Sequence, residues 1–458
     1  MCSIASVRFL PVAGLVFLFP LGAAEYVAAN PEPTPEETLM VEYLNRFRAD
    51  PKAEAERIAP PGKDGGRGGI DWDMFRTETS ALPSVPPVVI NLELLDAARR
   101  HSHYQILNGM THEQDPGKPG FTGKTFSERD KKAGYKGMPR SENCFRDAPN
   151  PWGAHSGFIV DAGSGGPGGM QPARGHRKNM ADGMAIEVGL SALPHDGRLC
   201  VTHNFGVRKS RFAGGVVYVD RDGDGFYSIG EGLGGVTIST GDGVSVQTWA
   251  SGGYTIELKG SQAVTLKATF LGLSETKSFE AGKSNVKFDW IVKPADLAAH
   301  ADRLIAKTEQ VPVENEAARR KAAIELCLGT RGLPLDHDYR AKIAQLVGPV
   351  GEELQACQEA VLEALKTFDA REFAKVLGEK RKPFAGTAAA AWFGEADLIG
   401  KVKAQVLALE ANAQRQKISP SVRQPFVKSL ENMGQQIREP IFLAELNALK
   451  SRAETTGQ

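Results

Sequence analysis

Between Phe212 and Trp290 the chain alternates apolar and polar residues between glycine turns; from Ala295 onward that texture gives way to Ala, Leu, Glu and Lys at helical spacing. A side-chain period of two and a period of 3.6 cannot describe one element, so the change marks separate folding units. The strings GGVVYVDRDGDGFYSIGEGLGGVTIST and SGGYTIELKGSQAVTLKATF read as short strands of an all-β unit. EELQACQEAVLEALKTF and IGKVKAQVLALEANAQ read as amphipathic helices packed in a bundle, with AAAAWF near Trp392 as core. Upstream, LMVEYLNRFRADP places Leu39, Tyr43, Leu44 and Phe47 on one helical face that Pro51 stops. A glycine-rich loop follows at 62–69, and INLELLDAARRHSHYQIL forms a second helix. A chain of 458 residues exceeds one hydrophobic core, which stops growing at about 250–300 residues.

The N-terminus reads as an export signal. Arg8 is followed by an apolar run from Phe9 to Leu21 and by the small residues Gly22, Ala23 and Ala24. That run is shorter than the roughly 20 residues that span a bilayer as a helix. Residues 1–24 are therefore expected to be a signal peptide, 25–36 a Pro/Glu-rich linker, and the mature protein secreted or held at the cell envelope without a transmembrane segment. Lys+Arg and Asp+Glu are both 55, and no basic run interleaves with aromatics, so nucleic acid is not an expected partner. Export permits disulfides. Cys144 and Cys200 fall in one unit and Cys327 and Cys357 in another, so within-unit pairs are the expectation if any form.

Of nine histidines, seven lie between His101 and His203. Imidazole is both a common metal ligand and a common base near neutral pH. The strings NGMTHEQ (His112), RSENC (Glu142), FIVDAGSGG (Asp161) and RGHRKNM (His176) supply two imidazoles and two carboxylates. Such a set can hold a divalent metal or exchange protons with a ligand. None of the pairs has the i, i+4 separation of a helix-borne zinc motif.

Those strings, in that order, resemble the CAP superfamily of cysteine-rich secretory and pathogenesis-related proteins. LNRFRADPKAEAERI resembles its opening helix, and INLELLDAARRHSHYQI its helix with a His-Ser pair. FSERDKKAGY, SEN, VDAGSGG, RGHRKNM and CVTHNFG complete the pattern across roughly 37–207. The resemblance implies an α-β-α sandwich over 37–210, with His112, Glu142, Asp161 and His176 lining one cleft. It further implies that His112 and His176 can bind zinc. Ser141 stands where the family has glycine, and Asp161 where many members have glutamate.

DRDGDGFYSIGE, residues 220–231, carries the pattern of an acidic twelve-residue calcium loop. Asp220, Asp222 and Asp224 take the first three ligand positions, Gly225 the sharp turn, Phe226 a backbone carbonyl and Glu231 the closing carboxylate. Strand-like VVYV and GVTIST flank it in place of helices. This resembles the calcium-binding B-type modules of bacterial surface adhesins, which implies a β-sandwich over 211–293 stiffened by Ca²⁺. Residues 294–458 form the all-α unit.

Two functions follow. One is an extracellular binding module for a lipid, a peptide or an envelope component. The alternative is a metal-dependent hydrolase acting through the His112/His176 cleft. The sequence carries no dedicated nucleophile, so no catalytic residue is assigned.

Overall fold

The computed structural model describes residues 26, 31–60, 69–415, 419–434, 437 and 439–456. The expected signal segment lies outside the described residues, as does most of the glycine-rich loop. The chain is a multidomain α/β protein.

The first unit runs α1 (Pro35–Ala49), α2 (Pro51–Ile58), α3 (Trp72–Ser80), β1 (Val89–Ile90), α4 (Leu92–Asn108), α5 (Phe126–Lys132), β2 (Met138–Ala148), α6 (Pro151–Val160), α7 (Gly175–Met180), β3 (Glu187–His195) and β4 (Arg198–Val207). Thr34 and Glu37 start α1 as a reciprocal capping box, Glu37 N–H donating to Thr34 Oγ1 at 3.2 Å and Thr34 N–H to Glu37 Oε2 at 2.9 Å. Asp50 ends α1 and caps α2, accepting from Ala53 N–H at 2.9 Å. Pro51 therefore stops one helix and opens the next, where its missing N–H is not needed. Arg99 of α4 donates to Glu32 O at 2.8 Å and pairs with buried Glu37, so the chain before α1 is tied down.

The four strands lie in the order β1-β3-β4-β2, with β1 parallel to β3 and the other pairs antiparallel. The pleat divides their side chains. Val188, Leu190, Ala192, Val201 and Phe205 join Met40, Leu44 and Phe47 of α1 and Phe158 of α6 in one core. The other face meets α4, where Ser102 Oγ donates to Thr202 Oγ1 at 2.9 Å. Gly189 permits that approach: a Cβ there would lie 1.9 Å from the Leu94 carbonyl carbon. Helices thus cover both faces, and β2 is an edge strand.

The second stretch contains β5 (Arg211–Tyr218), β6 (Thr237–Thr240), β7 (Ser245–Gln247), β8 (Gly253–Leu258), β9 (Val264–Phe270), β10 (Leu273–Phe279), β11 (Val286–Lys287) and β12 (Trp290–Ile291). One sheet has the order β10-β9-β6-β7, and β5 pairs with β8, β11 and β12 in the other. Val217, Ile238, Tyr254, Ile256, Leu266 and Phe288 form their shared core.

Helices α8 (Pro294–Glu309), α9 (Glu316–Thr330), α10 (His337–Val347), α11 (Pro349–Lys366), α12 (Ala370–Lys380), α13 (Ala390–Ala413), α14 (Pro420–Gly434) and α15 (Pro440–Thr455) complete the chain. Leu354, Val361, Phe373, Phe393 and Phe442 make their core, and Trp392 belongs to it. The change of texture at 293/294 coincides with the start of α8. Leu297 and Ala301 of that helix nevertheless pack into the core of the strands. No helix among the described residues is long and apolar enough to cross a membrane.

The strands also grip the first unit. Thr255 Oγ1 donates to Ile90 O at 2.8 Å, Asn285 Nδ2 to Ile186 O at 2.7 Å, and Lys287 Nζ pairs with Glu42 at 2.6 Å. Leu39 of α1 packs with Val216, Tyr218 and Tyr227.

Candidate functional site

Alternation along β2 sends Glu142 and Asn143 to opposite faces of the sheet; they lie opposite Asn204 and His203 of β4 respectively. Glu142 faces α4 and α5. Its Oε1 accepts from His112 Nδ1 at 3.0 Å and its Oε2 from Arg129 Nη2. Arg129 also donates to Lys124 O at 3.0 Å and His112 O at 3.2 Å, so one guanidinium holds the carboxylate and the backbone of its imidazole partner. The Glu142 side chain is 1% exposed and that of Arg129 is fully buried, whereas His112 is 55% exposed. Burial opposes ionisation of Glu142. The imidazoles of His101 and His112 and the Arg129 guanidinium outweigh it, and the carboxyl titrates below its ordinary range. The same hydrogen bond raises His112 above the ordinary imidazole value, against a smaller cost of burial.

His101 lies behind this pair. Its Nδ1 accepts from Gln114 Nε2 at 3.0 Å and its Nε2–H donates to Thr111 O at 3.0 Å, a tautomer assigned from that network. Burial pushes its pKa down to about 4, so it is neutral at neutral pH and charged only in the acid range where Glu142 titrates. Ligand atoms of His101, Glu142 and Cys144 lie within 4.8 Å of one another. Three features favour a hydrogen-bonded hub over a cation site. Arg129 neutralises Glu142, His101 Nε2 is engaged, and burial raises the Cys144 thiol well above its ordinary range.

The second imidazole is built by a local turn. Helix α6 ends at Val160, and Asp161 follows in the left-handed conformation, with φ 56° and ψ 45°. Its Oδ2 accepts from the backbone N–H of His176 at 3.0 Å and its Oδ1 from His176 Nδ1 at 2.7 Å. Asp161 thus satisfies a free N–H in the first turn of α7 and orients the ring, although it is shorter than glutamate. The glycine-rich stretch 163–173 folds back beside it, with Gln171 N–H donating to Asp161 O at 2.7 Å. The His176 ring lies 5.3 Å from that of Phe158. Asn179 donates to Glu142 O at 3.3 Å and to Asn143 Oδ1 at 2.8 Å, fixing α7 to β2.

The four expected residues therefore form two carboxylate–imidazole pairs, His112–Glu142 and His176–Asp161, at the same point of an edge strand. They do not form one cluster. Among the described residues, the sets of three or more metal-type ligands within 4.8 Å are His101/Glu142/Cys144 and Asp220/Asp222/Asp224. In each pair the carboxylate holds Nδ1 and leaves Nε2 as the free ring nitrogen. That donor set fits zinc in one respect: imidazoles that ligate zinc are commonly oriented through their second nitrogen by a carboxylate.

The acidic loop is organised. Asp220 accepts from Gly223 and Gly225 N–H at 2.9 and 3.1 Å, and Asp224 from Phe226 N–H at 2.7 Å. Asp220, Asp222 and Asp224 present carboxylate oxygens within 4.8 Å of one another, a hard-oxygen set that suits Ca²⁺. Glu231 is turned to another task. Its two oxygens accept from Arg221 N–H at 2.7 Å and Ser228 N–H at 2.8 Å, latching the ends of the loop.

Several site neighbours were not legible in advance. His155 is buried on α6 and bonds Glu54 at 2.8 Å. His203 lies buried between Phe158 and Phe205, and burial pushes its pKa to about 3. Arg129 stood in FSERD with no mark of its carboxylate partner. Cys144, Cys200, Cys327 and Cys357 are free thiols, so neither of the within-unit pairs allowed for is present. Cys144 sits opposite Thr202, one alternate position along the ladder from Cys200. No protein-family model matches this chain, and no curated protein matches it.

Proposed function

We propose that the chain is an exported, CAP-like binding module that presents His112 and His176 at a metal-capable cleft, with an adhesin B-type β unit stiffened by Ca²⁺. The family reading rests on the order of the strings from LNRFRADP to CVTHNFG and on a sheet covered by helices on both faces. One observation carries the functional reading. Both imidazoles are held through Nδ1 by a carboxylate, at 3.0 and 2.7 Å, which leaves both Nε2 atoms for a ligand. Zinc bound there would supply a Lewis acid; His112 and His176 would each offer Nε2 to it, and Glu142 and Asp161 would orient the two rings through Nδ1. The extracellular ligand would be a lipid, a peptide or an envelope component.

The metal-dependent hydrolase is the second reading. It draws on His112, an exposed imidazole backed by a buried carboxylate, the arrangement of a group that accepts a proton. Calorimetric zinc titration of the full chain tests the cleft. The double change His112→Ala and His176→Ala is expected to abolish uptake while far-UV circular dichroism stays unchanged. Equal uptake by the variant sinks the proposal. Zinc-dependent hydrolysis lost in the same variant would select the second reading.

A further inference from the structure

A groove of about 920 Å³ opens where β4 leaves the first unit and meets the turn after β8. Its walls carry Arg208, Lys209, Arg211, Lys259 and Lys283, against the single acid Glu257. Lys259 and Lys283 are distant in sequence from the 208–211 run and the chain has no net charge, so the fold brings the cations together. Their roles differ. Arg211 is buried and fixed, donating to Ser284 O, Gln262 O and Glu280 O at 2.9, 2.8 and 3.1 Å. Three of its five N–H donors are thereby used, and its charge stays at the groove wall. Arg208 is held by Glu187 at 3.1 Å and Lys259 by Asp242 at 3.1 Å. Lys209 and Lys283 are exposed and have no ion pair among the described residues. Five cations against Glu257, Glu187 and Asp242 leave an excess of two positive charges around one cavity.

We propose that this groove binds a polyanion bearing several phosphate groups. A fixed guanidinium with exposed ammonium groups beside it suits tetrahedral oxyanions, and their charge-assisted hydrogen bonds are the strong kind. The volume exceeds the need of one phosphate and falls in the range of sites for extended small ligands. Ser210 and Ser261 add hydroxyl groups to the wall. The site is separate from the two imidazoles and does not depend on the cleft reading.

Calorimetry on the full chain, with tripolyphosphate as probe, tests the proposal. The buffer is freed of divalent cations so that the acidic loop cannot bridge. Saturable binding that weakens with added salt is expected. The double reversal Lys209→Glu and Lys283→Glu should weaken it by at least about tenfold, the loss of one charge-assisted hydrogen bond. Lys366→Glu, on α11, should leave it unchanged. Co-sedimentation with phosphatidylglycerol vesicles, against phosphatidylcholine vesicles, identifies the source of the phosphate. Binding that the double reversal removes from those vesicles assigns a lipid headgroup; tripolyphosphate binding alone assigns a soluble anion. No binding to either probe, or equal binding by the double variant, overturns the proposal.

Discussion

The Phe226 ring of the acidic loop stacks on Tyr43 of α1 with centroids 5.5 Å apart and planes 9° apart. Arg46 closes over the same ring at 4.4 Å and pairs with Glu54, which in turn holds His155 of α6. The loop is therefore docked on the first unit. A double-mutant cycle between Tyr43→Ala and Phe226→Ala should yield a coupling of about 0.5–1.5 kcal/mol by urea denaturation. Additive single effects would mean that the stack carries no energy of its own.

Calcium should stabilise the full chain through that loop. Asp220, Asp222 and Asp224 repel one another at close range, and the ion relieves this only when the loop is folded. The gain is about 2.7 kcal/mol at a hundredfold excess over the dissociation constant. Asp222→Ala should shrink it. Glu231→Gln should behave differently, because Glu231 latches Arg221 and Ser228: it should lower the melting temperature even in chelator. Identical melting with calcium and with chelator would make the loop an ordinary acidic turn.

Removing Arg129 should be among the costliest single changes in the first unit. Arg129→Met strands the buried Glu142 carboxylate without its cation, and breaking a buried pair in this way costs about 3–5 kcal/mol. Denaturant unfolding measures it. A loss under about 1 kcal/mol would show that His112 alone suffices for Glu142.

What could be read in advance was local. Helix α1 announces itself through Leu39, Leu44 and Phe47, and the texture change at 293/294 falls where α8 begins. The pair Asp161–His176 spans fifteen residues and grows from adjacent strings, so both members were legible. Glu142 was legible too, but not its environment: Arg129 and His112 reach it across 13 and 30 residues, through packing that no period encodes. His155 and Glu54 meet across 101 residues. Nothing in PEPTPEE signals that Arg99 will pair with Glu37. The basic groove has no local signal beyond Arg208, Lys209 and Arg211, which stand within four positions; Lys259 and Lys283 arrive through the strands.

The His112–Glu142 pair should leave a signature in pH. His112 has a folded pKa above its unfolded value of 6.5, so its contribution is fully present below that value and fades as pH rises through the folded one. Glu142 has a folded pKa below 4.5, so its contribution is present above that value and fades as pH falls. The pair is therefore complete between roughly pH 4.5 and 6.5. Asp130, pushed from 3.8 up to about 7 by burial, opposes this within the same window: its cost grows as pH rises from the unfolded value and is complete above about 7. Histidine titration by NMR should show an elevated midpoint for His112 that falls towards the ordinary value in Glu142→Gln. An unchanged midpoint in a folded variant would assign the elevation elsewhere.

Asp161 carries two tasks that substitutions can separate. Its carboxylate accepts from the His176 backbone N–H at 3.0 Å and from His176 Nδ1 at 2.7 Å, and its backbone sits at φ 56°. Asp161→Ala removes the α7 contact, the ring contact and a residue suited to left-handed backbone, and should cost about 1–2 kcal/mol. Asp161→Asn tolerates the backbone and keeps one acceptor oxygen, so its cost should be well under half of that. The Asn carboxamide carries no charge, so the His176 ring should stay oriented but lose its anionic partner. If zinc binds at this cleft, Asp161→Asn should weaken it by about 10–100-fold while stability changes little, as for other oriented imidazole ligands. Equal zinc affinity in Asp161→Asn and the parent would mean that the carboxylate serves the helix alone. Equal stability of Asp161→Ala and the parent would remove the helix role instead, and both can be read from one set of purified variants by calorimetry and thermal melting.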